Sequence, residues 1–444
     1  MSTRLTKKNR DINEAEYFGL TRYSENTGCI NPKEIVPDII HFVWIGSMIP
    51  DLKLYIRIWG EYNRDKEIIL WQDSDTEMCM EFQRKLAQYA AEKITDKEDE
   101  DSRLIKIRNE AFQFIWSGIA KGETFGKLSD DFLISKNINI TSTILTESKV
   151  KLSGIKNREI NELFSLADDQ LRKAYYCEII LRGNLACASD IIRLLALRQF
   201  GGIYIDVDTL PDINMNFELT NIYLKEQSLL EDESLTILKS SAFLMKFSEI
   251  NEFECALRKY AASMPAIESE IKNQVIQLIC CDMNSSCELK VKPLGKVYVY
   301  KGLISLSTLP FLDGVFFSNI ICCAPGSRMI RMMLGYIGRS YKFLEKSGKL
   351  YGLCKCTNPL RKSSFMPAQY REDRLRDSTY VTMQLTGPDM IIRTVIRYLL
   401  KVLRIEPKNL NESLIIKLQN ESSGIGFTRQ TLDTPFGTIS EWRN

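Results

Sequence analysis

Histidine is almost absent from this chain: among 444 residues there is one, His41. That excludes metal sites built on several histidines, H-E-x-x-H proteases and two-histidine acid–base pairs. A Ser-His-Asp triad would have to use His41, which stands inside an apolar, strand-like run and reads as structural. The twelve cysteines contain no C-x-x-C; Cys280-Cys281, Cys322-Cys323 and Cys354-Lys355-Cys356 are irregular spacings. They read as reduced thiols, several of them packed as small hydrophobes, rather than as a disulfide framework or a zinc site. No run approaches about 18 uncharged apolar residues, so no membrane-spanning helix is expected. The polar, basic stretch Met1–Arg10 lacks the apolar core of a signal peptide. An excess of one charge is missing too: 59 basic against 57 acidic residues leave a net +2, with no overall pull towards nucleic acid.

What is present is an ordinary globular composition, 44% hydrophobic and 26% charged, long enough for one large α/β domain with insertions. Residues 1–37 read as a short helical arm. Asp38 to Ile45 is β-branched and aromatic and closes on Gly46, and Lys66 to Gln72 is a second such run; both predict buried strands. The helical pattern Leu52 to Tyr62 between them makes a parallel β-α-β unit. Residues 76–181 are polar and helical in pattern and read as a helical insertion, and 215–290 as a second helical region. Strand character returns at Leu289 to Tyr300 and at Phe316 to Ala324, and Met390 to Leu403 predicts an amphipathic helix.

The informative segment is Asn184 to Pro211. Ser189 or Asp190 is a candidate helix cap, and Gly201-Gly202 stops that helix in the left-handed region glycine enters freely. In the next strand Ile203, Ile205 and Val207 share one face, and Tyr204, Asp206 and Asp208 the other. Two neighbouring carboxylates repel unless a positive charge lies before them, and their hard oxygens suit Mg²⁺ or Mn²⁺. At the carboxyl end of a strand in an open α/β sheet, such a cation would bridge to a diphosphate. Asp190 and Arg193, one helical turn apart just upstream, are candidates for a sugar or ribose hydroxyl and for a phosphate or the acids themselves.

The runs Ile39–Gly46 (I-I-H-F-V-W-I-G) and Ala188–Pro211 (A-S-D-I-I-R-L-L-A-L-R-Q-F-G-G-I-Y-I-D-V-D-T-L-P) resemble the D-x-D sugar transferases of the GT-A fold. Within these the chain is most similar to the catalytic domain of the clostridial large glucosylating toxins and related bacterial effectors. Leu385-Thr-Gly-Pro-Asp389 and Ser440-x-Trp442 resemble two further motifs of that group. The resemblance implies an α/β, GT-A type (Rossmann-like) mixed sheet with large helical insertions, filling residues 38–444 and closed by a C-terminal active-site loop at 430–444. It implies that Trp44 stacks on the uracil of UDP beside Ile45, that Asp190 and Arg193 bind the donor sugar, and that Tyr204 contacts the nucleotide. Asp206 and Asp208 would hold Mn²⁺ or Mg²⁺ with Ser440, Trp442 would reach the leaving phosphate, and Asn319 would lie near the donor sugar. One acid of the family's metal site falls on Gly437 here.

The activity so implied is retaining, metal-dependent transfer of glucose or N-acetylglucosamine from a UDP-sugar to a hydroxyl of a host protein, such as a small GTPase. The chain would be a secreted bacterial effector acting in host cytosol. Alternatives are a cell-envelope or glycolipid sugar transferase and a catalytically dead sugar-nucleotide-binding module. Residues 328–377 carry twelve basic residues and four acids, a patch for an acidic acceptor or an anionic membrane.

Overall fold

A computed structural model describes residues 33–46, 50–73, 78–92, 100–139, 152–164, 169–230, 232–264, 269–285, 288–307, 317–352, 380–401 and 406. Its first strand, β1 (Lys33–Ile35), lies where the sequence suggested a helical arm. β2 (Ile39–Trp44) and β3 (Glu67–Gln72) run parallel, from Ile39 opposite Glu67 to Trp44 opposite Gln72, with helix α1 (Pro50–Tyr62) between them in the chain. Helices α2 (Cys79–Glu92), α3 (Glu100–Ile119) and α4 (Phe125–Ser135) follow.

The stretch 76–181 is not wholly helical. It contains β4 (Lys156–Glu159), which pairs parallel with β3. Its sequence, K-N-R-E, carries no apolar residue; the partner strand makes it a strand. Lys156 bonds to Glu67 at 3.0 Å, and the Arg158 guanidinium sits 4.8 Å from the Trp71 ring centroid. Helix α5 (Asp169–Tyr176) then runs into one wide π-helical turn, Cys177–Arg182, which ends on left-handed Gly183.

Helix α6 (Leu185–Phe200) is capped by Asn184, whose side chain accepts from the Cys187 amide at 2.9 Å. The expected cap at Ser189 or Asp190 is therefore corrected: Asn184, ahead of both, supplies the oxygen, and Asp190 lies inside the helix. At the other end Gly201 (φ +64°) and Gly202 (φ +95°) turn the chain into β5 (Gly202–Ile205). A Cβ at Gly201 would stand 2.6 Å from Pro325, and one at Gly202 2.7 Å from the Ile39 carbonyl oxygen, so space as well as φ demands glycine.

Four helices, α7 (Glu218–Glu226), α8 (Glu233–Phe247), α9 (Phe253–Ser263) and α10 (Ser269–Ser285), form the second helical region. Strand character after Leu289 narrows to β6 (Tyr298–Tyr300), antiparallel to β1. β7 (Ser305–Ser307) and β8 (Phe317–Cys323) complete the main sheet, ordered β4-β3-β2-β5-β8-β7, with β8 antiparallel to both neighbours. Helices α11 (Arg328–Lys346), α12 (Tyr380–Leu385) and α13 (Pro388–Lys401) close the described chain.

Side-chain alternation sends the sheet into two cores. Ile40, Phe42, Ile68, Leu70, Ile203 and Ile205 join the core that holds Tyr55, Ile56 and Trp59 of α1. Val43, Ile69, Trp71, Tyr204 and Ile321 join the one that holds α6. Each fully buried large side chain contributes about 1.5–3 kcal/mol. Among the described residues no helix is long and apolar enough to cross a membrane.

His41 ties the layers together. Its Nε2 donates to the Gly201 carbonyl at 2.8 Å, and its Nδ1 accepts from the Trp71 indole at 3.1 Å, a neutral tautomer with both nitrogens used. Burial is the main reason its pKa falls to about 4.

Candidate active site

The carboxyl end of β5 carries the two aspartates, but not as strand residues. β5 ends at Ile205. The Asp206 amide makes one last bond across the sheet, to the Asn319 carbonyl at 2.8 Å, and the Thr209 amide then closes a turn onto the Asp206 carbonyl at 3.0 Å. Asp206 and Asp208 thus sit in a turn that follows the strand, which corrects the shared-face reading. The turn is pinned from both sides: the Trp59 indole donates to the Thr209 carbonyl at 2.7 Å, and the Asn319 amide donates to the Thr209 hydroxyl at 3.3 Å.

Arg193 is the hub. It is 3% exposed and projects from the middle of α6. Its Nη2 pairs with Asp190 Oδ1 at 2.6 Å, and its Nη1 lies 3.5 Å from Asp206 Oδ1 and donates to the Ser318 carbonyl at 3.2 Å. The guanidinium carbon stands 5.2 Å from the Tyr204 ring centroid. Tyr204 donates its hydroxyl hydrogen to Asp206 Oδ1 at 2.5 Å. The other oxygen of Asp190 accepts from the Thr386 hydroxyl at 2.7 Å.

Electrostatics follow this wiring. Burial pushes the Asp190 carboxyl above its usual range, with Arg193 and Thr386 pulling against it. Burial likewise raises Asp206, opposed by Arg193 and by the Tyr204 bond. Tyr204 is pushed well up, by burial first and then by Asp206. For Arg193 burial works against the charge, but Asp190, Tyr204 and Asp206 outweigh it and hold the guanidinium protonated. A fixed cation thus binds two carboxylates in a pocket where neither would ionise readily alone.

Both contacts to Asp206 fall on Oδ1, which leaves Oδ2 without a hydrogen bond among the described residues, on a side chain 33% exposed. That open oxygen and the half-buried Asp208 two residues on are hard donors of the kind Mg²⁺ or Mn²⁺ takes. Among the described residues no group of three or more His, Cys, Asp or Glu gathers as a metal site. Ser440, Trp442 and Gly437 lie outside the described residues.

The family described as the TcdA/TcdB catalytic glycosyltransferase domain matches residues 38–114 and 127–355, well over half of the chain. The chain belongs to that family. It is 27% identical over 238 residues to Cytotoxin-L of Paraclostridium sordellii, covering 47% of this chain and 10% of that protein. Toxin A of Clostridium novyi is 23% identical over 334 residues, 69% of this chain and 14% of its own length. The chain thus spans about a tenth of these relatives. Among solved structures, the catalytic domain of alpha-toxin from Clostridium novyi superposes with a TM-score of 0.71 at 18% identity, covering 97% of this chain and 83% of that one. The UDP-bound glycosyltransferase domain from the YGT toxin gives 0.58 at 20% identity, covering 92% and 82%. The fold is therefore the expected α/β, GT-A type mixed sheet with large helical insertions, and the chain is a glycosyltransferase domain.

Of the residues singled out in the sequence, the structure brings together Asp190, Arg193, Tyr204 and Asp206, with Asp208 in the same turn. Asn319 joins through its backbone. Its side chain is spent on Thr209 and on the Ser307 hydroxyl, so it latches β8 and β7 to the turn. Trp44 ends β2 on the same sheet edge but leans against the α1 core, on the face opposite Tyr204. Ile45 is 5% exposed in the α6 core, which leaves only its backbone for a ligand. Sequence reasoning quoted the Thr386-Gly387-Pro388 turn without its role, and it missed the Ser318 carbonyl and Thr209 altogether.

Proposed function

We propose that this domain transfers glucose or N-acetylglucosamine from a UDP-sugar, with retention of configuration, to a hydroxyl of a protein acceptor such as a small GTPase, as a secreted bacterial toxin or effector. The observation that carries this reading is the Arg193-centred cluster beside the Asp206–Thr209 turn, set in the fold of a matching glycosyltransferase family.

Each group has a task in that reaction. Trp44 offers its ring to the uracil. Among the described residues its indole Nε1 and the Oε1 of Gln72, opposite it in register, are both buried without hydrogen-bond partners, and the Gln72 oxygen is an acceptor within reach of this strand end. Asp206, Asp208 and Ser440 are the residues that would hold Mn²⁺ or Mg²⁺; that ion supplies charge neutralisation of the departing diphosphate. Asp190, fixed by Arg193 and Thr386, presents a carboxylate to the donor sugar and favours the positive charge that grows on the anomeric carbon. Arg193 keeps Asp190 and Asp206 at a constant spacing, so nothing reorganises when the bond to phosphate breaks. Tyr204 holds Asp206 Oδ1 and leaves Oδ2 turned outward.

Incubation with a panel of UDP-sugars tests the reading. One of them should be hydrolysed in the presence of Mn²⁺, with loss of activity on chelation and in Asp208→Asn. Full turnover in excess chelator, or equal turnover by Asp208→Asn, overturns the metal assignment. Absence of turnover with every UDP-sugar overturns the donor.

A further inference from the structure

Cys187 of α6 is fully buried, out of reach of any substrate. It stands three residues before Asp190, so the two side chains share one face of that helix. The Thr386 hydroxyl lies between them. Its Oγ1 is 3.1 Å from Cys187 Sγ and 2.7 Å from Asp190 Oδ2. One oxygen on the turn between α12 and α13 thus bridges two residues of α6.

Valence decides which way the hydrogens point. Thr386 has one hydroxyl hydrogen to give and two oxygens that could take it, Asp190 Oδ2 and the Thr382 carbonyl at 3.5 Å. The Thr382 carbonyl already accepts from the amides of Thr386 at 3.1 Å and Gly387 at 3.0 Å, which use both of its lone pairs. The hydroxyl hydrogen therefore goes to Asp190, and the contact with Cys187 is a hydrogen bond only if the thiol donates. The thiol has that hydrogen to give: burial first, and then the charge of Glu178, push it well above the ordinary cysteine range. The Tyr341 hydroxyl is a poorer acceptor for it, 3.8 Å away and itself donating to Glu178 Oε1 at 2.5 Å.

We infer that Cys187 is a positioning residue for the sugar-transfer step: its thiol donates to the Thr386 hydroxyl and so commits that hydroxyl's hydrogen to Asp190. A hydroxyl that accepts one hydrogen bond donates a stronger one, because linked bonds polarise each other. The chain from sulfur through Thr386 ends on Asp190 Oδ2, while Arg193 holds Oδ1 at 2.6 Å. Both carboxylate oxygens are thereby fixed before a donor arrives, and no reorganisation is left for the moment of bond breaking. The inference rests on the reading of Asp190 as the carboxylate that faces the donor sugar.

A double-mutant cycle on the full 444-residue chain tests it. Hydrolysis of UDP-sugar and titration with UDP are measured for wild type, Cys187→Ala, Thr386→Val and the double variant. Each assay runs well below the variant's melting temperature, so that loss of folded protein does not enter kcat. Cys187→Ala should lower kcat about threefold to fivefold, the weight of one modest hydrogen bond, with KM and UDP affinity unchanged. In the Thr386→Val background the same change should lower kcat no further, because the hydroxyl it acts through is gone. Cys187→Ser, which keeps a donor at the same place, should recover most of the loss. An unchanged kcat in Cys187→Ala overturns the proposal, as does a serine variant no better than alanine. An equal loss in both backgrounds also overturns it and marks Cys187 as a packing residue alone. If wild type splits no UDP-sugar, the donor reading itself fails and this inference goes with it; the other outcomes leave that reading standing.

Discussion

The Thr386 hydroxyl donates to Oδ2 of Asp190 at 2.7 Å, a bond between residues 196 positions apart. It joins α6 to the turn between α12 and α13, and Thr386 is itself placed by the Thr382 carbonyl that accepts from its amide at 3.1 Å. Thr382 in turn receives bonds from Arg182 at 3.1 Å and Asn184 at 2.7 Å, and Arg182 pairs with buried Glu178 at 2.9 Å. A polar chain thus runs behind the site from the π-helical turn to Asp190.

Thr386→Val keeps the shape and deletes that donor. Asp190 is left with one oxygen unpaired in a buried site, at a cost of about 1–3 kcal/mol in stability. Donor turnover should fall while UDP affinity holds, and Thr386→Ser should restore turnover and stability. Urea unfolding, titration with UDP and a hydrolysis assay read the three quantities.

Arg193→Lys should behave as a severe change despite keeping the charge. One ammonium cannot reach Asp190, Asp206 and the Ser318 carbonyl together, as the planar fork does. Breaking such a buried pair costs about 3–5 kcal/mol. A melting temperature equal to wild type would show that the cluster relaxes around lysine.

Trp44→Ala tests the base-stacking role. Loss of one aromatic platform should weaken UDP binding by about 1–3 kcal/mol, as aromatic–base stacking does elsewhere. Equal affinity in a folded variant would assign Trp44 to the α1 core alone.

His41 sets a pH dependence of stability. Its pKa in the folded chain is about 4, below the ordinary 6.5, so the folded state binds the proton less well than the unfolded one. The stabilisation is complete above 6.5 and lost as pH falls towards 4, about 3 kcal/mol by pH 4. Urea midpoints for wild type and His41→Asn across that window should converge as pH drops. Parallel curves would remove His41 as the source.

Where the local pattern is strong, the sequence and the structure agree. β2, β3 and β8 announce themselves as apolar runs, and Gly201-Gly202 marks the end of α6, because both signals are local and steric. β4 is invisible for the opposite reason: its four residues are polar, and only pairing with β3 makes a strand of them. Asp190 looked like a cap because it can be one, but Asn184 comes first and takes the amide of Cys187. The turn at Asp206 depends on the Asn319 carbonyl, the Trp59 indole and the Thr209 amide, contacts that alternation along a strand does not encode.

The bond between Asp190 and Thr386 also sets when the site can exist. A ribosome releases α6 and β5 long before it releases α12, and β8 must arrive to receive the Asp206 amide. Nascent chains that stop short of residue 386 hold a buried carboxylate with one oxygen unserved beside the Asp206–Thr209 turn. The Arg193-centred cluster is therefore completed late, by segments of high sequence separation, and an unfinished chain carries the fold's centre without it.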